Sequence, residues 1–259
     1  MKEKDGVEMN RFATSEFCME YTESEVGRGV LFESHCHTQL EMIAVLEGDI
    51  TVTVEGKGYR LKRNQGILIP PLAYHAVTAA AGTAYRRITV LFGGTVIPGV
   101  LQPFFGEGSE GMTVGVAAYT ERLRGILLRE DPDFYSPLAK SMMVEILYDA
   151  IAAPHSPAED GTDDFLKQAL LYIEAHLHEK ILLDDLARHT ARSKSSFCHL
   201  FEKRMNVSPK QYILQKKIAV AQKLIGEGVP HTAAALRVGY ENYSSFYRLL
   251  KKHEEGGIL

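Results

Sequence analysis

Four side chains early in the chain have the types and spacing to hold a cation or to hydrogen-bond a polar ligand. They lie in Gly29-x5-His35-x-His37-x3-Glu41-x6-Gly48 and in Gly66-Ile-Leu-Ile-Pro70-Pro-Leu-Ala-Tyr-His75. Residues two apart on a strand share a face, so His35 and His37 point the same way, and Glu41 projects to that face as well. A proline turn then delivers His75. Three imidazoles and one carboxylate suit a borderline divalent ion such as Zn, Mn, Fe or Ni. The same groups also suit a hydrogen-bonded polar pocket for an organic effector, and residue chemistry alone leaves both readings open. Cys36 points away from its two histidine neighbours and reads as core packing.

A second set of functional residues lies in a repeat near the other end. Leu186-Ala187 precedes Ser196-Phe197 and Leu200-Phe201; 48–49 residues later, Ala234-Ala235 precedes Ser245-Phe246 and Leu249-Leu250. Each copy reads as a short helix, a tight turn and a helix that starts polar and continues apolar and basic. That is the order of a helix-turn-helix, whose second helix enters the major groove and reads base edges with its first turns.

The elements that position the first set are strands. Residues 30–92 read mostly as strand. Ile50-Thr-Val-Thr-Val54 alternates apolar and polar, Glu55-Gly56-Lys57-Gly58 reads as a turn, and Tyr59-Arg-Leu-Lys follows. Gly66–Pro70 and Arg87–Phe92 are two more short strands. Short strands with turns about every ten residues predict a sandwich or barrel. Two helices come next, over Ala118–Glu130 and Pro137–Ala152, the latter with an apolar stripe of Leu138, Met142, Ile146 and Ala150. This stripe packs on its own domain or on a second subunit. The prolines, glycine and small polar residues of 153–163 read as a linker.

Beyond it everything reads helical: Phe165–His178, Leu182–Thr190, a helix capped by Ser193, and one opened by Ser208-Pro209 that runs to about Ile225. Gly226 and Gly228 end that helix. Thr232–Val238 is closed by Gly239, and Asn242 caps a last helix to about His253.

Leu186-Ala187, Ser193, Phe197, Leu200-Phe201, Ser208-Pro209, Tyr212-Ile213, Ala221, Leu224 and Val238-Gly-Tyr-Glu-Asn-Tyr-Ser-Ser-Phe246 with Lys251-Lys252 resemble the DNA-binding domain of AraC-family transcription regulators. The resemblance covers nearly all of 165–253. It implies two helix-turn-helix units joined by a linker helix, set in two successive major grooves on one face of the duplex. By matching positions it implies base readers at Ser195, Cys198 and His199 in the first unit, and at Tyr243, Ser244, Tyr247 and Arg248 in the second. Only Arg248 carries the fork that reads guanine bidentately. Lys194, Lys203, Arg204, Lys251 and Lys252 are the phosphate contacts it implies. The chain departs from the family at Asn206 for glycine, Lys217 for arginine and Ala234 for a larger apolar residue, and in ending at Glu254-Glu-Gly-Gly-Ile-Leu259 without the usual close.

The histidine segment resembles the first motif of the cupin superfamily, and Pro70 to His75 part of the second, with Leu72 where glycine is usual. This covers about residues 20–95 and implies a small double-stranded β-barrel. By family habit the effector is a sugar-like metabolite, with Phe32, Tyr59, Tyr74 and Phe92 as the aromatic faces that would suit it.

Composition agrees with a two-domain α+β protein: a cupin-like effector-binding and dimerisation domain (1–155), a linker (156–163) and an all-α double helix-turn-helix domain (164–259). The 259 residues are 45% hydrophobic and 24% charged, near the globular average. From Asp163 onward there are 15 Lys/Arg and 11 Asp/Glu, a net of +4; the remaining 14 and 22 give −8, and the sum is the overall −4. The basic half is the candidate for double-stranded DNA. Cys18, Cys36 and Cys198 are odd in number and far apart, which excludes a disulfide framework and fits a reducing cytoplasm. No apolar run is long enough to span a bilayer, and the charged N-terminus is no secretory signal. The expectation is a ligand-responsive regulator, a homodimer with no membrane partner. A metal-dependent cupin enzyme with a helical appendage is the alternative.

Overall fold

The structure is a computed structural model that describes residues 7–14, 16–24, 34–79, 84–106, 110–129, 131–153 and 164–255. Gly29, Phe32 and the expected linker at 156–163 lie outside these, as do the side chain of Lys252 and the tail after Glu255. The chain forms two compact units, the second built on the residues from 160 onward with the short segments Ser34–Thr38 and Glu55–Lys57 counted in it.

Among the described residues the first unit has nine strands: β1 (Val7–Ala13), β2 (Phe17–Ser24), β3 (Leu40–Glu47), β4 (Asp49–Val54), β5 (Lys57–Lys62), β6 (Gln65–Ile69), β7 (His75–Ala79), β8 (Tyr85–Phe92) and β9 (Met112–Gly115). They make a six-stranded sheet in the order β1-β2-β8-β3-β6-β9 and a three-stranded sheet in the order β5-β4-β7. β3 pairs antiparallel with β8 on one side and with β6 on the other.

Both faces of the large sheet are covered. Ile43, Val45, Ile67, Ile69 and Tyr85 face Ile50, Val52, Val54, Val77 and Ala79 of the small sheet and form the barrel interior. Leu40, Met42, Ala44, Ile88, Val90 and Phe92 face the other way, into a core shared with the helices α1 (Gln102–Phe105), α2 (Thr120–Leu127) and α3 (Pro132–Ala152). A strand buried on both faces needs no polar alternation, which explains the run Leu-Glu-Met-Ile-Ala-Val-Leu of β3. β4 has one face buried and keeps the period of two. Glu55 and Gly56 turn the chain into β5 with φ of 45° and 77°, the left-handed pair of a two-residue hairpin.

Three expectations need correction. β1 and β2 were not foreseen, although Phe17, Met19 and Tyr21 alternate with polar neighbours; β2 pairs with β8 and β1 with β2, which widens the large sheet. α3 starts at Pro132, not Pro137. The Asp131 carboxylate accepts the Phe134 N–H at 3.0 Å, and Pro132 sits in the first turn, where its missing N–H costs nothing. Pro137 lies inside the helix. The earlier start also changes the buried stripe: Met142, Ile146 and Ala150 are inward as expected, but Leu138 is 47% exposed and Ala139 takes its place. Phe92, expected near a sugar face, packs between the sheet and the helices instead.

The second unit contains α4 (Asp164–Ala175), α5 (Leu183–His189), α6 (Lys194–Met205), α7 (Pro209–Gly226), α8 (His231–Arg237) and α9 (Tyr243–Glu255). Its helix starts are set by local side chains. Ser193 caps Ser196 N–H, Ser208 caps Gln211 N–H, and Asn242 caps Ser245 N–H. Asn206 closes α6 in the left-handed region with φ 54° and ψ 27°, so asparagine does the work expected of glycine there.

The repeat holds hydrogen bond by hydrogen bond. In the first turn Thr190, Ala191 and Arg192 N–H donate to Leu186, Arg188 and Ala187 carbonyls; 48 residues on, Val238, Gly239 and Tyr240 donate to Ala234, Leu236 and Ala235. The second turn then carries one extra residue, Glu241, before its cap.

Ala191 and Gly239 are thus equivalent, and both have positive φ, 52° and 75°. Only glycine takes that conformation without a Cβ penalty. Ala191 is exposed, so a substitution there changes little else. We expect Ala191→Gly to stabilise the helical unit by about 0.5–1 kcal/mol, read as a higher urea midpoint of the helical circular-dichroism signal. An unchanged or lower midpoint would contradict a strained turn.

Candidate functional site

The barrel interior brings its polar groups together from both sheets. Glu41 lies on β3 on the same face as Ile43 and Val45, and His75 lies on β7 on the same face as Val77 and Ala79. Both are almost inaccessible, at 5% and 2% exposure. His75 Nδ1 is 2.9 Å from the Ala73 carbonyl, which fixes the tautomer: Nδ1 carries the proton and donates it. The Nε2 lone pair therefore faces inward, and it meets Glu41 Oε2 at 2.8 Å. Two lone pairs at that distance require a cation or a shared proton between them.

His35 and His37 have ring centroids 5.6 Å apart. They precede β3 on an irregular segment, where His35 makes a single bridge, instead of sitting on a regular strand. Donor atoms of His35, His37, Glu41 and His75 nevertheless all lie within 4.8 Å of one another. A ring-nitrogen triad with one carboxylate, one imidazole pre-oriented by a backbone carbonyl, fits a divalent transition metal. Leu72, at the usual glycine position, takes φ 62° and keeps the turn into His75.

Sequence reading missed three further polar residues of the interior. On β8, Tyr85, Arg87 and Thr89 alternate on the face shared with Glu41, Ile43 and Val45. The Arg87 guanidinium lies 5.8 Å from the centre of the Tyr85 ring. Burial pushes the Tyr85 hydroxyl above the usual tyrosine range. The signal was the period of two in Tyr-Arg-Arg-Ile-Thr, hidden because the intervening Arg86 is as polar as Arg87 and Ile88 is buried in the other core. Tyr59 and Tyr74 are also buried. Cys36 is buried as expected.

In the helical unit, α6 carries Ser195 and His199 exposed with Cys198 half-buried between them, while Phe197, Phe201 and Met205 hold the opposite face in the core. α9 exposes Ser244, Tyr247 and Arg248 and buries Phe246 and Leu250. Tyr243 and Tyr247 stand with ring centroids 5.9 Å apart. Arg248 Nε donates to its own helix at Ser244 O, 3.3 Å away. Lys203, Arg204 and Lys251 are exposed. Lys194, the first residue of α6, is paired with Asp184 at 2.9 Å, a partner not foreseen from sequence; this hydrogen bond raises its pKa.

Comparison with known proteins agrees with both halves. Residues 23–91 match the family model described as a cupin domain, and residues 186–255 match one described as a helix-turn-helix domain. An uncharacterized HTH-type transcriptional regulator, YdiP of Escherichia coli (strain K12), is 33% identical over 92 residues, 35% of this chain but only 30% of that protein's length. YobQ of Bacillus subtilis (strain 168), also an uncharacterized HTH-type transcriptional regulator, is 23% identical over 223 residues, 86% of this chain and 85% of that protein. A solved structure of ToxT from Vibrio cholerae aligns over 92% of this chain and 94% of that one, with 11% identity and a TM-score of 0.44.

Fold and site define a cupin domain joined to a double helix-turn-helix domain. The helix-turn-helix half is of the AraC type.

The Lys194–Asp184 pair is exposed on both sides, so it adds little to folding. Where Lys194 meets a phosphate, as the resemblance implies, Asp184 would repel the ligand and occupy its cation. Asp184→Asn is expected to leave the melting temperature unchanged and to tighten duplex binding on the order of threefold at low salt, measured by fluorescence anisotropy. Weaker binding by this variant would remove Lys194 from the interface.

Proposed function

We propose that this chain is a ligand-responsive, sequence-specific DNA-binding transcription regulator. One observation carries the reading: two turns with the same hydrogen-bond pattern, each followed by a capped helix whose first turns are polar and exposed. Ser195, Cys198 and His199 read one groove, and Tyr243, Ser244, Tyr247 and Arg248 the next; Lys194, Lys203, Arg204, Lys251 and Lys252 meet phosphates. The domain limits 1–155 and 164–259 follow the same division. The cytoplasm is the compartment this function requires, and no helix among the described residues is long and apolar enough to cross a membrane.

The barrel serves as the effector site, not as a catalyst. His35, His37, Glu41 and His75 would hold a divalent transition metal, which would supply a Lewis acid for an oxygen-bearing ligand. Arg87, the cation of the interior, favours a small polar metabolite with an anionic group, of the sugar or sugar-acid kind. Such an effector switches DNA binding only if it binds one arrangement of the protein better than another. A homodimer is the form proposed for the active protein: α3 leaves Phe134, Leu138 and Tyr148 exposed along its length.

Two measurements test the reading. For the full-length protein, log affinity for a selected duplex is expected to fall linearly with log salt, and Arg248→Ala to cost about 1–3 kcal/mol on that duplex while relaxing the preference at one base position. A flat salt response would remove DNA as the partner. Metal analysis, after purification without chelator or affinity resin, is expected to find about one transition-metal ion per chain, lost in His35→Ala and His75→Ala. A metal-free wild type would make the four groups polar lining for an organic effector, with the regulator reading intact.

A further inference from the structure

Two reading helices recognise one duplex only if their separation and rotation match its helical repeat, about 34–36 Å per turn. In this unit α6 and α9 are joined in sequence only through α7 and α8, and a helix followed by a turn does not by itself fix that relation. The junction between the two helix-turn-helix units therefore matters as much as the readers.

That junction is built around Lys217, in the middle of α7. Its side chain is buried, 5% exposed, yet no carboxylate is bonded to it. Its Nζ donates to the backbone carbonyl of Glu179 at 2.5 Å and to that of Val238 at 2.7 Å. Glu179 stands before α5, at the entry to the first unit; Val238 closes α8, in the turn of the second. One amine thus ties a backbone atom of each unit to the linker helix. Tyr240 covers it, with the ring centre 5.6 Å from Nζ. Burial pushes this ammonium below the usual lysine range, but a neutral amine still has two hydrogens to donate, so the bridge does not depend on the charge.

Beside the bridge the two units touch through backbone. A Cβ on Gly239 would lie 2.7 Å from the Cα and carbonyl carbon of Glu179, and φ at Gly239 is +75°. Conformation and space both demand glycine, whereas the equivalent Ala191 is exposed. A cleft of about 400 Å³ next to the junction is lined by Lys194, the first residue of α6, and by Tyr240, just before α9. The start of α6 and the turn that leads into α9 border this one cleft, with Lys217 and Gly239 in its wall.

We propose that Lys217 and Gly239 are positioning residues that lock the spacing of the two reading helices, so that they determine which separation of DNA half-sites the protein accepts. The proposal rests on the DNA-binding reading above. Loss of the lysine leaves two carbonyls without their donor, and a side chain at 239 wedges the second turn off the first unit. Neither change touches a base reader.

The test uses the full-length protein and a duplex that it selects from a random pool, compared with the same duplex carrying one base pair inserted between the two contacted segments. The wild type is expected to prefer the parent duplex by about tenfold or more, the scale of a lost base contact. Lys217→Met and Gly239→Ala are expected to bring that ratio below about threefold; Lys217→Arg, which keeps donors for both carbonyls, retains it. Because the readout is a ratio, a smaller folded fraction weakens both duplexes alike and cancels. A wild-type ratio in Lys217→Met and Gly239→Ala overturns the lock, and if Lys217→Met fails to fold, Gly239→Ala decides alone. A wild type that selects no duplex overturns the DNA-binding reading itself, and the lock with it.

Discussion

A lysine amine held between two backbone carbonyls is the interaction on which the helical half turns. A buried carbonyl left without a donor costs about 1–3 kcal/mol, and of the two bonds from Lys217 the one to Val238 is buried and the one to Glu179 part-buried. The Glu179 and Val238 carbonyls sit at the ends of a loop and of a short helix, where no regular ladder reaches them. A long flexible side chain with several donors is one of the few ways to satisfy both at once. The rest follows: α7 turns that face inward, Tyr240 lies over the amine, and the second turn rests on the first unit's backbone.

The barrel obeys a related rule with a different result. Its large sheet is covered on both sides, so a polar group on β3 or β8 is either paired inside or excluded. Glu41, His75, Tyr85 and Arg87 persist there as a group, with His75 oriented by the Ala73 carbonyl. Such groups are costly to keep in a core that packs equally well without them, and that cost is what supports the proposed ligand site in the interior. Aromatic bulk, by contrast, went to packing: Phe92 serves the outer core, although from sequence it suited a binding face.

Legibility tracked the range of the interactions involved. The helical half was readable almost to the residue because its signals are local: Ser193, Ser208 and Asn242 start helices, and Asn206 and Gly239 end elements or turn the chain. His35, His37, Glu41 and His75 were readable as a set from spacing, though not the irregular segment that carries the first two. What stayed hidden depends on distant partners. β1 and β2 exist because β8 offers an edge. The start of α3 at Pro132 rests on an aspartate cap that was overlooked in favour of a proline one turn later. Arg87 became visible only when both neighbours of its strand were known, and Lys217 stands out in sequence only as a lysine where the family has arginine, with no sign of its two carbonyl partners.

The contrast between Gly239 and the exposed residues of α6 and α9 also bears on how such a protein changes over generations. Ser195, His199, Ser244 and Tyr247 lie where almost any side chain is compatible with folding, whereas position 239 admits none. Drift is thereby channelled. On the readings proposed above, individual letters of the recognised site can be exchanged one substitution at a time, while the interval between its two words is inherited unchanged. New regulatory targets are then reached by rewriting the vocabulary, with the grammar fixed by a residue that makes no contact with the text.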